Sequence, residues 1–436
     1  MFPRTARKVA ALTAAASLLA LTACSSDSSG EGADGEVTLK VLTWRTDLVE
    51  DGTFDEYADR FNETYPDITV EFEGITDYEG EVKTRMSTEN YGDVLGIVGT
   101  VQPAQLQDFF EPLGTVEEIE EDYRFVREKA YQGTVYGIPV VGNTQGIVYN
   151  RNVWQEAGLS DYPTTPEEFI EALKTIKDNT DTTPMYTNYA AGWTLTQWEA
   201  HRGEISADPN YVNSLLETDN PWVEGSDHYV IDSLLYDVVA EGLVEEDPTT
   251  TDWELSKDLI ATGDVATMVL GSWAIVQMQQ AAIDNGGEGT DIGYMPFPHQ
   301  KDGTFYASVG GDYNLAINKH SKHKEEARQW IDWFNNHSGY AETQGGLSPL
   351  KDSVEPKVLE DFTLAGVQYV EQYPAPEGKE GLIDEIDNTA EIGLWQDMYR
   401  KRIVDAARGQ GDETKEDIFA DLNARWKAAR AEVMGG

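Results

Sequence analysis

From Val37 onward the apolar residues switch from a spacing of two to a helical spacing and back again. Val37, Leu39 and Val41 alternate as in a strand with one buried face. Thr53 then opens an amphipathic segment in which Phe54, Tyr57, Ala58 and Phe61 recur at helical spacing, with Thr53 and Glu56 placed as a capping box. Tyr65-Pro66-Asp67 ends that segment, and Ile68, Val70 and Phe72 alternate as the next strand. After another helical stretch comes the apolar run from Val94 to Val98. Repeated alternation of this kind predicts an α/β fold built on mostly parallel, helix-flanked sheets.

The theme returns in the middle of the chain. Thr165-Pro166-Glu167-Glu168 reads as an N-cap, a proline at the first helical position and a capping-box glutamate, with Phe169 and Leu173 on the buried face. Ala266 to Leu270 and Ile292 to Met295 read as short apolar strands, the second stopped by Pro296 and Pro298. A helix is predicted from Ser321, with Ala327, Trp330, Ile331 and Phe334 on one stripe. A last helix from near Thr414 buries Ile418, Leu422 and Trp426. The sequence contains neither an internal repeat nor, beyond Glu36, a low-complexity segment.

The first 23 residues have another character. Arg4, Arg7 and Lys8 precede an Ala/Leu-rich run from Val9 to Leu21, too short to span a bilayer as a helix and patterned as a signal peptide. The run ends in Leu21-Thr22-Ala23-Cys24, which resembles a bacterial lipobox. Residues 1–23 are therefore expected to be a lipoprotein signal peptide, Cys24 the lipidated residue, and 24–36 a flexible tether to the extracytoplasmic face of the membrane. Cys24 is the only cysteine, so disulfides and thiolate metal sites are excluded. About 400 residues follow the tether, more than one hydrophobic core serves, and two domains are expected.

The formal charge of -47, from 79 acidic and 32 basic residues with the basic ones not gathered into a patch beyond short local runs, argues against a nucleic-acid partner. Catalytic signatures are missing as well: no G-x-S-x-G elbow, no Walker loop and no G-x-G-x-x-G turn between a strand and a helix. His320 and His323 sit among Lys319, Lys322 and Lys324, whose charge disfavours a metal cation, so neither a metal nor another cofactor is expected. Carboxylate pairs are too common in so acidic a chain to single out a glycosidase, whose chemistry needs only two acids at the right separation.

What stands out is the aromatic content, with 11 Trp and 21 Tyr, many beside Gly, Pro, Asn and Thr. Sugar C–H faces pack on aromatic rings, and sugar hydroxyls take planar polar partners. Trp44, Trp193, Trp273 and Trp395 fall in loops or at element ends, whereas Trp330 shares the apolar stripe of its helix and reads as core. Asp47, Gln102, Asn143 and Asp312 lie near strand ends, where open α/β sheets bind ligands.

Several segments together resemble the extracellular solute-binding proteins of carbohydrate ABC importers, the group that includes maltose-binding protein. Tyr136-Gly137-Ile138-Pro139 followed by Gly146-Ile147-Val148-Tyr149-Asn150-Arg151 is similar to that family's crossover strand and its tyrosine-asparagine-base signature. Gly263 to Met268 leading to Gly271-Ser272-Trp273 resembles the segment that ends in a sugar-stacking tryptophan. Gly310 to Ile317 with Ser321-Lys322, Leu347-Ser348-Pro349 and Gly393-Leu394-Trp395 follow in the family's order.

The resemblance implies a two-lobed, periplasmic-binding-protein-like (type II) fold with the ligand cleft between lobes. Lobe I would be 37–142 with 312–350, and lobe II 143–311 with 351–436. It further implies a monomer that closes by a hinge on a sugar or short oligosaccharide, docks on permease subunits and catalyses nothing. Trp273 and Trp395 would be stacking platforms of lobe II, Asn143 would bond a hydroxyl beside the first crossover, and Asp47, Thr100 and Gln102 would be lobe I contacts. Trp193, Gly311 and Asp312 are added from their loop placement. Thr100 stands where some relatives carry a carboxylate and Ile97 where the maltose binder has tryptophan, so maltose itself is not implied. A polyamine or peptide on the same fold, or a surface-tethered glycosidase, are the competing readings.

Overall fold

The computed structural model describes residues 37–376 and 378–435, so the expected signal peptide, Cys24 and the tether lie outside the described residues. Two large sheets organise the chain. The first has the order Ile68–Gly74, Val37–Thr43, Val94–Gly96, Asn314–Ile317, Ile138–Pro139. Its first three strands run parallel, and Asn314–Ile317 is antiparallel to both of its neighbours. Helix Thr53–Asn62 packs Phe54 and Phe61 against Phe72, Trp330 and Phe334 on one face. Tyr78, Val82, Leu106 and Phe110 fill the other face. Apolar residues thus cover both sides of this sheet, as parallel strands require.

The second sheet is built around the long strand Gly142–Asn150. Its first residues pair with Thr304–Gly311, and its remainder pairs with Val265–Gly271 on one side and Ile292–Met295 on the other. Thr183–Met185, Gln300–Lys301 and Gln368–Glu371 complete it. Its strands bury their apolar residues in two cores of their own. A third, small sheet of Gly114–Thr115, Thr134–Val135 and Ala130–Tyr131 lies beside the first.

Three chain segments lie side by side where the two large sheets meet. Asp312 N donates to Val141 O at 2.8 Å and Val140 N to Tyr313 O at 3.2 Å. Gly142 and Leu347 exchange both backbone hydrogen bonds at 2.6 and 2.7 Å. Short extended segments that cross between two packed bodies are where those bodies can rotate with least loss.

The helix ends show where local reading succeeds and where it slips. The helix expected from Thr53 does begin there, but Thr53 and Glu56 form no capping box. Gly52, at φ 84°, is the N-cap, and its left-handed turn brings the Asp51 carboxylate to within 2.9 Å of the Thr53 amide. At Pro166–Asn179 the Thr165 hydroxyl accepts the Glu168 amide at 3.2 Å as expected, while the Glu168 carboxylate reaches past it to the Thr164 amide at 2.8 Å. Helix Lys324–His337 starts three residues after Ser321, whose hydroxyl is drawn away to Asp93 at 2.5 Å. Lys415–Gly435 has a true capping box, with Thr414 and Asp417 each accepting the other's amide, and buries Ile418, Leu422 and Trp426.

Candidate functional site

Three indoles gather at one end of the second sheet. Strand Val265–Gly271 delivers Trp273 through a turn pinned to the long strand: Ser272 N donates to Thr144 O at 2.8 Å, and Thr144 N donates to Ser272 Oγ at 3.1 Å. Gly271 leaves room for the ring, since a Cβ there would sit 2.6 Å from Trp273 Nε1. Trp193, 38% exposed, lies 5.7 Å from Trp273 between ring centroids, and Trp253 lies 4.9 Å from Trp193 and 5.7 Å from Trp273. Each of the three opens a helix: Trp193–Thr196, Trp253–Thr262 and Trp273–Asp284. Trp253 was not among the residues expected from sequence, although its place at a helix start is the signal it shares with the other two.

Trp395 stands on the same wall. It is 53% exposed, in the turn between helices Leu382–Ala390 and Met398–Ala407. The turn is fastened from both sides: Gly393 N and Leu394 N donate to Asp387 at 2.9 and 3.1 Å, and Leu394 O accepts from Arg400 at 3.0 Å. Burial pushes the Asp387 carboxyl up to about 6, the two amides pulling the other way. A Cβ at Gly192 would collide with the Asp397 carboxylate, so the segments carrying Trp193 and Trp395 are in contact.

The Arg202 guanidinium lies 4.3 Å over the Trp395 ring, a cation–π contact. Arg202 Nε is held by Glu199 Oε1 at 2.9 Å. Glu199 also meets His228 at 3.2 Å, Tyr399 at 3.3 Å and Arg400, while Arg400 Nε meets Asp232 at 3.2 Å. Burial alone would raise the Glu199 carboxyl, but Arg202, His228 and Arg400 hold it well below the usual carboxylate range. Arg202 is likewise absent from the sequence expectations; it and Trp395 are nearly two hundred positions apart, and no local pattern joins them.

Asn143, Gly311 and Asp312 come together at the crossover. Asn143 Nδ2 donates to Asp312 Oδ2 at 3.3 Å, and Asn143 Oδ1 accepts from Ser272 Oγ at 3.3 Å, which ties this group to the Trp273 turn. Burial raises the Asp312 carboxyl, against the Tyr313 amide and the Asn143 amide group. Gly311 N donates to Glu128 Oε1 at 2.8 Å. Glu128 is open to solvent on one side and enclosed by protein on the others, and that enclosure pushes its carboxyl up to about 7. Nothing in the sequence around Glu128 set it apart from the chain's other acids.

The first sheet supplies a more polar face. Trp44 is boxed in, stacked on Tyr313 at 4.1 Å and edge-on to Tyr78 at 5.7 Å. Tyr313 OH donates to Glu79 at 2.8 Å, whose other oxygen accepts the Gly99 amide at 2.9 Å. Asp47 is paired with Arg45 through bonds of 2.6 and 2.8 Å, and Arg45 also reaches Gln344 at 2.5 Å. Thr100 and Gln102 are exposed on the loop after Val98. Gln102 faces the other body: a Cβ at Gly381 would lie 3.4 Å from its Oε1. Burial lowers the Lys129 ammonium and raises the Asp384 carboxyl, and each acts on the other electrostatically. Among the described residues no group of three or more His, Cys, Asp or Glu is placed to hold a metal ion.

A pair of helix-flanked sheets joined by short crossing segments, with aromatic and polar residues facing one another between them, defines a two-lobed binding protein. The chain matches the bacterial extracellular solute-binding proteins over residues 45–341 and belongs to that family. It is a binding protein rather than an enzyme, and its place of work is outside the cytoplasm. It is similar to a manno-oligosaccharide-specific solute-binding protein of Bifidobacterium animalis subsp. lactis, solved with mannotriose: 34% identity, TM-score 0.84, covering 92% of this chain and 96% of that one. A second binding protein of an ABC transporter from the same organism, solved with mannobiose, is 36% identical with TM-score 0.84 over 91% of this chain and 95% of that one. The multiple sugar-binding protein of Streptococcus mutans is 24% identical over 328 residues, 72% of this chain and 74% of that protein.

Proposed function

We propose that this chain captures a neutral oligosaccharide in the cleft between its lobes and presents it, by hinge closure, to the membrane subunits of an ABC importer. The observation that carries the reading is the wall of indoles, with Trp193 and Trp395 exposed and Trp253 and Trp273 half-buried, opposite a face of polar side chains. Flat rings take the C–H faces of successive sugar units, and Asn143, Asp312, Gln102, Thr100 and Asp47 answer their hydroxyls. Trp44, behind Tyr313, shapes the first-lobe wall, and Gly311 lets the crossing strand pass close beneath. The carboxylates Glu79, Glu128, Asp312 and Asp384 outnumber the cations Lys129 and Arg202 that act on them from the cleft walls, which disfavours an anionic saccharide. The bound saccharides of the two Bifidobacterium proteins make manno-oligosaccharides the first to test.

We assign the lobes as 37–142 with 312–350 and 143–311 with 351–436, a division supported by the sheet to which each strand belongs. Closure gains contacts from both lobes only when ligand bridges them, which shifts the open–closed equilibrium. The lipobox-like Leu21-Thr22-Ala23-Cys24 supports a lipid anchor at Cys24, with the protein working as a monomer on the outer face of the membrane.

The test is calorimetry and thermal shift on the soluble form from Ser25 onward with mannobiose, mannotriose, maltotriose, raffinose, diacetylchitobiose, spermidine and a short peptide mix. A ligand confined to the folded state raises the melting temperature. A saccharide recovered intact supports the reading; a hit only among spermidine and peptides overturns the sugar, and recovery of cleaved saccharide overturns a purely binding role.

A further inference from the structure

The Arg202 side chain is 8% exposed, yet its hydrogen bonds are lopsided. Nε is engaged twice, by Glu199 Oε1 at 2.9 Å and by Glu199 O at 3.1 Å. Neither terminal nitrogen donates to any acceptor among the described residues, and neither is a sealed, unpaired atom. A guanidinium carries five N–H donors in a rigid fork, so the four on the terminal nitrogens are left without a protein acceptor. That fork lies on the Trp395 ring at 4.3 Å, and the Asp384 carboxyl feels both it and Lys129 of the opposite lobe. A core arginine kept for packing or charge balance would have its fork satisfied by protein, as Arg400 does with Glu199, Asp232 and Leu394 O.

We propose that Arg202 is a specificity-determining ligand contact: its free fork, lying against one face of Trp395, donates past the edge of that ring to hydroxyls of the sugar unit held there, while Glu199 fixes its orientation. The inference rests on the oligosaccharide reading above and adds a residue and a chemical demand to it. The unit at Trp395 must carry two neighbouring acceptor oxygens, since the terminal nitrogens of one guanidinium diverge by the spacing of a vicinal diol.

The experiment is a cycle between protein and ligand, using the full mature chain. The affinity of mannotriose, or of whichever saccharide in the panel binds most tightly, is measured by calorimetry beside its monodeoxy analogues, for wild type, Arg202→Lys and Arg202→Met. Wild type should lose about tenfold or more in affinity for at least one deoxy analogue, as expected for a hydrogen bond to a charged donor. Both variants should bind the parent saccharide weakly and lose less than about twofold on that same analogue, because the partner is already gone. Arg202→Lys keeps the charge beside Glu199 and guards against a variant that fails to fold. Unaltered discrimination in a folded variant overturns the role of Arg202 and leaves the oligosaccharide reading intact, whereas no saccharide binding to wild type overturns that reading and this inference with it.

Discussion

The tryptophans of the first lobe and those on the cleft side of the second are put to opposite uses. In the first lobe Trp330 and Trp333 lie buried in the core and Trp44 is stacked behind Tyr313. In the second, Trp154, Trp198, Trp222 and Trp426 fill the core, while Trp193 and Trp395 are 38% and 53% exposed, with Trp253 and Trp273 half-buried beside the former. The difference lies in what stands beneath each ring. First-lobe rings sit on aliphatic and aromatic side chains, and their burial is itself the stabilising event. Trp395 sits on a guanidinium whose own charge is satisfied below by a sealed network of Glu199, Arg400, Asp232 and His228. A large apolar ring left in water on a fixed polar base contributes little to folding and is placed for an outside partner.

Truncating one ring from each lobe separates the two uses. Trp330→Ala removes a wholly buried ring from between Phe61, Phe72 and Phe334, and should lower stability by about 3–5 kcal/mol in urea unfolding, with ligand affinity of the folded fraction unchanged. Trp273→Ala should do the reverse. Loss of one stacking platform is expected to weaken ligand binding by about 1–3 kcal/mol, by analogy with stacked bases, while stability moves far less than in Trp330→Ala. If Trp273→Ala unfolds the protein as readily as Trp330→Ala, the second-lobe rings are core and the contrast disappears.

Much of this contrast was legible in the sequence, and the part that was not has a common physical cause. Trp330 declared itself through its stripe with Ala327, Ile331 and Phe334, because a helical face records burial locally. The strand Ile292–Met295 was bounded by its own prolines, and the last helix by Thr414 and Asp417. Trp273 and Trp395 stood out by lying off any stripe. Arg202, Glu128 and Tyr313 did not stand out, because each takes its role from a partner on another segment: Trp395, Gly311 and Trp44. In a chain with 79 acids, one more glutamate carries no signal until the fold wraps it.

The crossing segments offer a finer test of how the lobes are joined. A Cβ on Gly311 would lie 2.8 Å from Glu128 Oε2 and 2.8 Å from Pro139 Cβ, and the proline ring cannot swing away. Gly311→Ala should therefore cost about 1–3 kcal/mol by overpacking. Gly289→Ala, in the second lobe, meets nothing closer than 3.6 Å and should be near neutral. Equal melting temperatures for the two variants would show that the crossover gives way without strain.

The smallest effect concerns Glu128 itself, the carboxyl that lies against that crossing strand. Its pKa of about 7 in the folded chain stands above its ordinary value of 4.5, so folding favours the protonated form. Between those two values the folded protein binds more protons than the unfolded chain. Stability contributed by this group is therefore full below pH 4.5 and declines as pH rises toward 7. Asp312 and Asp387 are raised by burial too and slope the same way, so only the difference between proteins isolates Glu128. Glu128→Gln keeps the acceptor oxygen for the Gly311 amide and removes the titration. Its stability, followed by urea unfolding between pH 4.5 and 7.5, should fall less steeply than that of wild type over this window. Because Glu128 is open to the cleft, water screens the shift and the gap between the two curves should be modest. Parallel curves would mean that the carboxylate is fully hydrated from the cleft side, and that the crossover between the lobes carries no proton-linked strain.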